Sequence, residues 1–190
     1  MSRTLLILLA FLITGCTNNR NTNHCFYYWK SDLNIASSDS VLLNELDVHT
    51  LYVRYFDVRW IENQQSAFPV AKLSATTKLA SNIEVIPVVY IENKVIKNLD
   101  SNGIDSLSAK MSTLLHSINT TLSKKPKQVQ IDCDWTETTR TKYFELLTHL
   151  KSDYKDNILW SATIRLHQVK YKRTTGVPPV DRGMLMFYNM

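Results

Sequence analysis

Six short runs of strand-forming residues are spread over 190 residues, and the connections between them are too long to be tight hairpins. That spacing favours a sheet of parallel strands. The first run, Cys25-Phe26-Tyr27-Tyr28-Trp29, is dense in aromatics; the others span 51–58, 83–92, 128–135, 158–167 and 184–189. Helical periodicity fills most of the gaps. Val41, Leu42, Leu43 and Leu46 follow the capping residues Ser37, Ser38 and Asp39. Leu107, Met111, Leu114, Leu115, Ile118 and Leu122 recur at helical spacing behind Asp105 and Ser106, and Tyr143, Phe144, Leu147, Leu150 and Tyr154 mark another helix. The region around Pro69 reads as irregular, with a weak helical stretch expected from Lys72 to Ala80. Strands alternating with helices define right-handed βαβ units, so the fold class is α/β. A closed barrel of such units takes eight strands. Residues 25–190 are therefore expected to form a parallel-stranded, incomplete TIM-type (β/α) barrel of six strands. The chain halts at Met190, on its sixth strand. A truncated reading frame is expected, and an isolated domain that is marginal or associates through its open edge.

The run Gln128-Val129-Gln130-Ile131-Asp132-Cys133-Asp134-Trp135 carries the clearest chemistry. Side chains on a strand alternate faces, so Val129, Ile131, Cys133 and Trp135 share one face and Gln130, Asp132 and Asp134 the other. The first suits a cover of helices and the second a solvated site. In parallel barrels the reactive groups sit where strands end, which makes Asp132 and Asp134 the candidate catalytic pair. Two carboxylates two residues apart repel, which raises one pKa and keeps one carboxyl protonated near neutrality. Arg54, Arg165 and His167, also near strand ends, are candidates to pair with the other carboxylate or to hold substrate hydroxyls. The same residues suit a buried Arg/Asp network that orders the barrel's upper layer, and the sequence leaves both readings open. Aromatics near strand ends, Trp29, Trp60, Trp135, Tyr171 and Tyr188, suit stacking on sugar rings; Trp135 and Tyr188 complete the candidate substrate-binding set.

The N-terminus reads as an export signal. Met1-Ser2-Arg3 is a short basic start, and the apolar run Thr4 to Ile13 is too short to span a membrane comfortably. Ile13-Thr14-Gly15-Cys16 resembles the lipobox of bacterial lipoproteins, in which the Cys receives the lipid; an ordinary secretory signal and an uncleaved anchor are the alternatives. The resemblance implies a signal peptide over 1–15, a flexible tether over 16–24 and lipidation at Cys16. It also implies a membrane-anchored place in the bacterial cell envelope, at the outer membrane or facing the periplasm, with the membrane as partner through that lipid. With Cys16 so used, Cys25 and Cys133 remain, and two free buried thiols are expected rather than a disulfide.

Several strands resemble a family of bacterial lipoproteins whose domain is similar to glycoside-hydrolase (β/α)-barrels. They are Tyr52-Val53-Arg54-Tyr55-Phe56-Asp57-Val58, Gln130-Ile131-Asp132-Cys133-Asp134, Ile164-Arg165-Leu166-His167-Gln168 and Gly183 to Met190. The resemblance implies a carbohydrate-directed protein of low or no activity as a truncated chain, with a non-catalytic glycan-binding or scaffold lipoprotein as the alternative. Chitinase-like barrels carry Asp-x-Asp-x-Glu on the fourth strand, the Glu being the acid. This chain has Asp132-x-Asp134-x-Thr136, and Glu137 comes one place late.

Other classes find little support. Four glycines include no phosphate-cradling loop, and no cofactor is expected. The five histidines form no close pair, and no metal is expected. The formal charge of +5 falls to about +4 once Arg3 leaves with the signal, too mild to imply nucleic acid. Replacing Cys16 by Ala is expected to move the protein from the membrane to the soluble fraction of fractionated cells; an unchanged distribution would contradict lipid anchoring.

Overall fold

Strand and helix alternate as the connection lengths demand, in a computed structural model that describes residues 22–75, 82–122, 124–154 and 156–187. The elements are β1 (Cys25–Tyr28), β2 (Asp32–Leu33), α1 (Ser37–Glu45), β3 (Thr50–Ile61), a 3-10 turn (Glu62–Gln64), β4 (Ser66–Val70), β5 (Ser74–Ala75) and β6 (Glu84–Ile91). They continue with α2 (Asn93–Asn98), α3 (Ser101–Asn119), β7 (Gln128–Cys133), α4 (Arg140–Asp153), β8 (Leu159–Arg165), α5 (Leu166–Lys170), α6 (Lys172–Thr175) and β9 (Arg182–Met186). Six strands lie in the order β1-β3-β6-β7-β8-β9, every neighbouring pair parallel, and curl into an incomplete (β/α) barrel. β4 folds back antiparallel on β3.

Alternation along the strands divides the sheet into two faces with different chemistry. The outer face is the main core: Val53, Phe56, Val89, Ile131 and Cys133 pack under Leu107, Met111 and Leu115 of α3 and Tyr143, Leu146 and Leu147 of α4. Each large aliphatic side chain removed from water there contributes roughly 2 kcal/mol. The inner face has a smaller apolar floor of Tyr52, Ile86 and Val88, flanked by Tyr27 and Met184. Above and below this floor the inward residues are polar. Pro87 is tolerated in a central strand because it precedes the ladder with β7, which begins at the pair Val88 and Gln130.

Helix boundaries follow local chemistry. The Asp100 side chain accepts from the Gly103 N–H at 2.8 Å and caps α3. The other end of α3 is tied to its neighbours through Asn119, whose amide oxygen accepts from Tyr55 at 2.9 Å and whose amide nitrogen donates to Tyr154 at 2.7 Å. Gly176, at φ 73°, ends α6 in a conformation that disfavours a side chain, and turns the chain toward β9.

The structure corrects four expectations. The irregular region around Pro69 is a hairpin: β3 runs on to Ile61 and returns as β4, through a turn with Gln65 at φ 45°. Of the helix expected over Lys72 to Ala80, the described part contains β5, paired with β2; residues 76–81 lie outside the described residues. The fifth strand stops at Arg165, and His167 falls in α5. Cys133 is buried and its thiol is pushed well up by desolvation, but Cys25 is exposed, at the start of the edge strand β1. Both thiols are free.

Among the described residues, β1 and β9 each have one side without a strand neighbour. Phe26 beside one edge and Leu185 and Phe187 beside the other are exposed apolar side chains, as expected at strands with one open side.

Candidate functional site

The C-terminal ends of β3, β6, β7 and β8 bring acids, arginines and a phenol onto one inner wall. Strict alternation would put Arg54 and Asp57, three residues apart, on opposite faces of β3. They share a face because the register with β6 slips: Arg54 pairs with Val88 but Phe56 pairs with Val89, leaving Tyr55 as the extra residue of a β-bulge. Tyr55 and Phe56 both join the outer core, Tyr55 through its bond to Asn119, and Asp57 turns inward. Asp57 is then almost fully buried and clamped by Arg54, whose Nε lies 2.6 Å from Oδ1 and whose Nη2 bonds Oδ2. Arg59 adds a longer contact of 3.1 Å to the same Oδ2.

The pairing register carries this wall across the sheet. Asp57 stands beside Tyr90 of β6, and Tyr90 beside Asp132 of β7. Asp132 is 4% exposed; its Oδ1 accepts from Thr163 Oγ1 of β8 at 2.6 Å and from Arg165 Nη2 at 3.2 Å. Desolvation raises its pKa above the ordinary 3.8. Thr163 and Arg165 oppose that rise, while the Asp134 and Asp57 charges add to it. Asp134 lies just past the end of β7, half exposed, and bonds Arg165 through Nε. One guanidinium thus bridges both carboxylates. Its backbone is fixed as well: Gln168, buried, accepts from the Arg165 N–H at 2.8 Å and donates to the Trp135 carbonyl at 2.9 Å, tying the end of β8 to the end of β7.

Tyr90 completes the wall. Burial, reinforced by the Asp134 and Asp132 charges, pushes its phenol pKa up, so it remains a hydrogen-bond donor at neutral pH. Glu92, one step past β6, turns its carboxylate to the Trp60 N–H at 3.3 Å.

Arg165 contacts both Asp132 and Asp134, and Arg54 stands across the wall on Asp57. The inner face is drier than expected, with Gln130 and Asp132 both buried. His167 does not join the cluster: it is exposed on α5 and among the described residues makes no bond to these carboxylates. Trp135 is not at a ligand surface. It lies on the outer parity of β7, fully buried, stacked on Tyr143 at 5.1 Å, with Nε1 donating to the Thr175 carbonyl at 2.9 Å. Tyr188 and Cys16 lie outside the described residues. Of the other aromatics, Trp60 packs partly buried against the outer core, Tyr171 is exposed beyond α5, and Trp29 is exposed at the end of β1.

Asp57, Tyr90 and Thr163 were missed by sequence reasoning. Thr163 and Tyr90 share inward parity with Arg165 and Val88 and were open to discovery from alternation alone. Asp57 was hidden by the bulge. Among the described residues no three His, Cys, Asp or Glu side chains are grouped as metal ligands.

No family model matches the chain, and no curated protein matches its sequence. Its fold is similar to that of the chitinase domain of the spore coat protein CotE from Clostridium difficile, with a TM-score of 0.54 at 12% identity. The match covers 92% of this chain and 52% of that one, so this chain spans about half the length of its structural neighbour. The likeness shows a (β/α)-barrel architecture.

The Arg54–Asp57 clamp has a measurable consequence. Removing one partner of a buried pair strands the other charge, so Arg54→Met is expected to lower stability by roughly 3 kcal/mol, with Arg59 supplying partial compensation. Arg54→Met/Asp57→Leu should regain most of that loss. Urea denaturation of the three proteins checks both statements.

Proposed function

We propose that this chain is a carbohydrate-directed barrel of the bacterial envelope, held to a membrane by lipid on Cys16, and that its inner wall binds glycan rather than hydrolysing it efficiently. The observation that carries the reading is the bridge from Arg165 to Asp132 and Asp134 at the strands' C-terminal ends. Bidentate and bridging charge-assisted bonds suit the paired hydroxyls of a sugar, and Tyr90 adds a donor beside them. The chitinase domain with a similar fold supports the choice of ligand class by analogy of architecture.

Hydrolysis asks for more than this wall offers. A glycosidase needs one carboxylic acid that reaches the leaving oxygen and a second carboxylate as nucleophile or base. Burial favours a protonated Asp132, but the residue is 4% exposed and its Oδ1 is already engaged by Thr163 and Arg165. The position where chitinase-like barrels carry the acid is Thr136, whose hydroxyl bonds those of Thr138 and Thr139. Glu137, one residue on, is exposed. Among the described residues no helix is long and apolar enough to cross a membrane. Attachment in this reading rests on Cys16.

A glycan array followed by calorimetry and a turnover assay on the same oligosaccharides tests the proposal. Binding without turnover is expected, with affinity retained in Asp132→Asn and reduced in Asp134→Ala, which removes the exposed half of the bridge. Turnover that drops by orders of magnitude in Asp132→Asn would replace the binding reading with a hydrolase. Absence of any glycan ligand would leave a scaffold lipoprotein.

A further inference from the structure

Three aromatic rings climb the inner face at the β1 edge. Tyr52 of β3 lies beside Tyr27 in the β1–β3 register, with ring centroids 5.0 Å apart and planes tilted by 33°. Tyr27 in turn lies flat against Trp29, centroids 5.0 Å apart and planes within 5°. The lower rings are anchored. Tyr52 belongs to the buried inner floor, and the Tyr27 hydroxyl crosses the cup to Gln130 Oε1, the next inward residue beneath Asp132 on β7. The top ring is not covered: Trp29 is 44% exposed. Its backbone is nonetheless held, because Arg54 Nη1 donates to its carbonyl at 3.2 Å, and the same Arg54 clamps Asp57.

A large exposed aromatic side chain costs solvation, and here the ring is backed by the parallel Tyr27 ring while its backbone is held by Arg54. Arg54, bonded to the Trp29 carbonyl, leads from this residue to Asp57 and to the half-exposed Arg59. A ligand matching both features has a flat apolar face and hydroxyls around its rim, which describes a neutral pyranose ring. A fatty chain would desolvate Arg54 and Arg59 and offer them no hydrogen bond.

We propose that Trp29 is the stacking platform of a sugar subsite on the inner wall, opposite the Asp132–Arg165–Asp134 bridge, and that one oligosaccharide spans both. This subsite rests on the glycan-binding reading above and adds to it the side of the cup from which the glycan is held. Arg54 acts as a positioning residue that couples the platform to Asp57. The subsite takes up the ring face, and the bridge takes up hydroxyls further along the chain.

The test uses the full chain and three probes: chitohexaose, cellohexaose and maltohexaose. Trp29 is the most exposed of the four tryptophans, so a bound sugar should blue-shift and shield the wild-type fluorescence, and acrylamide quenching should fall. In Trp29→Ala the shift should vanish and calorimetric affinity for the bound probe should drop about tenfold, the scale of one lost aromatic stack. Trp29→Phe, which retains a ring over Tyr27, should restore part of the affinity without the fluorescence signal. The bond from Arg54 is to a backbone carbonyl and survives both changes, so a matched urea midpoint will show that the fold is kept. Wild-type binding that is unchanged in Trp29→Ala overturns the platform while leaving glycan binding in place. Absence of binding to all three probes overturns the platform and, with a negative array, the glycan reading as well.

Discussion

Buried charge on the inner wall is the constraint on which the upper half of this barrel depends. Asp57 and Asp132 are both almost out of water, and each persists because an arginine from the same strand or its neighbour reaches it. The two clamps are built differently. Arg54 finds Asp57 only because the bulge at Tyr55 rotates the strand by one residue. Arg165 finds Asp132 and Asp134 because β8 ends beside β7 and Gln168 fastens the two ends together. An isolated carboxylate at either place would neutralise or disrupt the wall. Strand order, bulge and capping glutamine are therefore parts of one electrostatic arrangement.

That arrangement also separates the two faces of the sheet by chemistry. The outer face spends its residues on packing: even Trp135, with a polar nitrogen, is consumed by Tyr143, Phe144 and the Thr175 carbonyl. The inner face holds an apolar floor with polar residues at both ends, such as the Gln128 contacts with Ser161 and Arg182 below and the acid wall above. Only the upper end faces the strands' C-termini, where parallel barrels present their ligand groups.

The local periods of the sequence carried much of this. Apolar spacing located all six parallel strands and the two long helices α3 and α4, and period-two alternation placed Gln130 and Asp132 inward and Trp135 outward. Its position near a strand end nonetheless suggests a ligand residue at Trp135, against its parity. What escaped were features that depend on a partner strand. A bulge is defined by register, and the run around Tyr55 contains no glycine to announce it. The hairpin after β3 turns on Gln65 at positive φ rather than on Asn-Gly, so its turn chemistry was silent. His167 was misplaced because strand gives way to helix at Leu166 without a break in hydrophobicity, the cap being supplied by Gln168 folding back on Arg165. Asp132 and Thr163 are 31 residues apart and meet only through β7–β8 pairing.

The central claim is that Asp132 is a desolvated carboxyl restrained by Arg165. Following its carboxyl carbon by NMR through an acid titration measures this directly. The account predicts a midpoint above the ordinary 3.8 in the wild type, and a further rise in Arg165→Gln because the compensating charge is gone. A midpoint at or below 3.8, or one indifferent to Arg165, would mean that the carboxyl is solvated or paired elsewhere and would contradict the account.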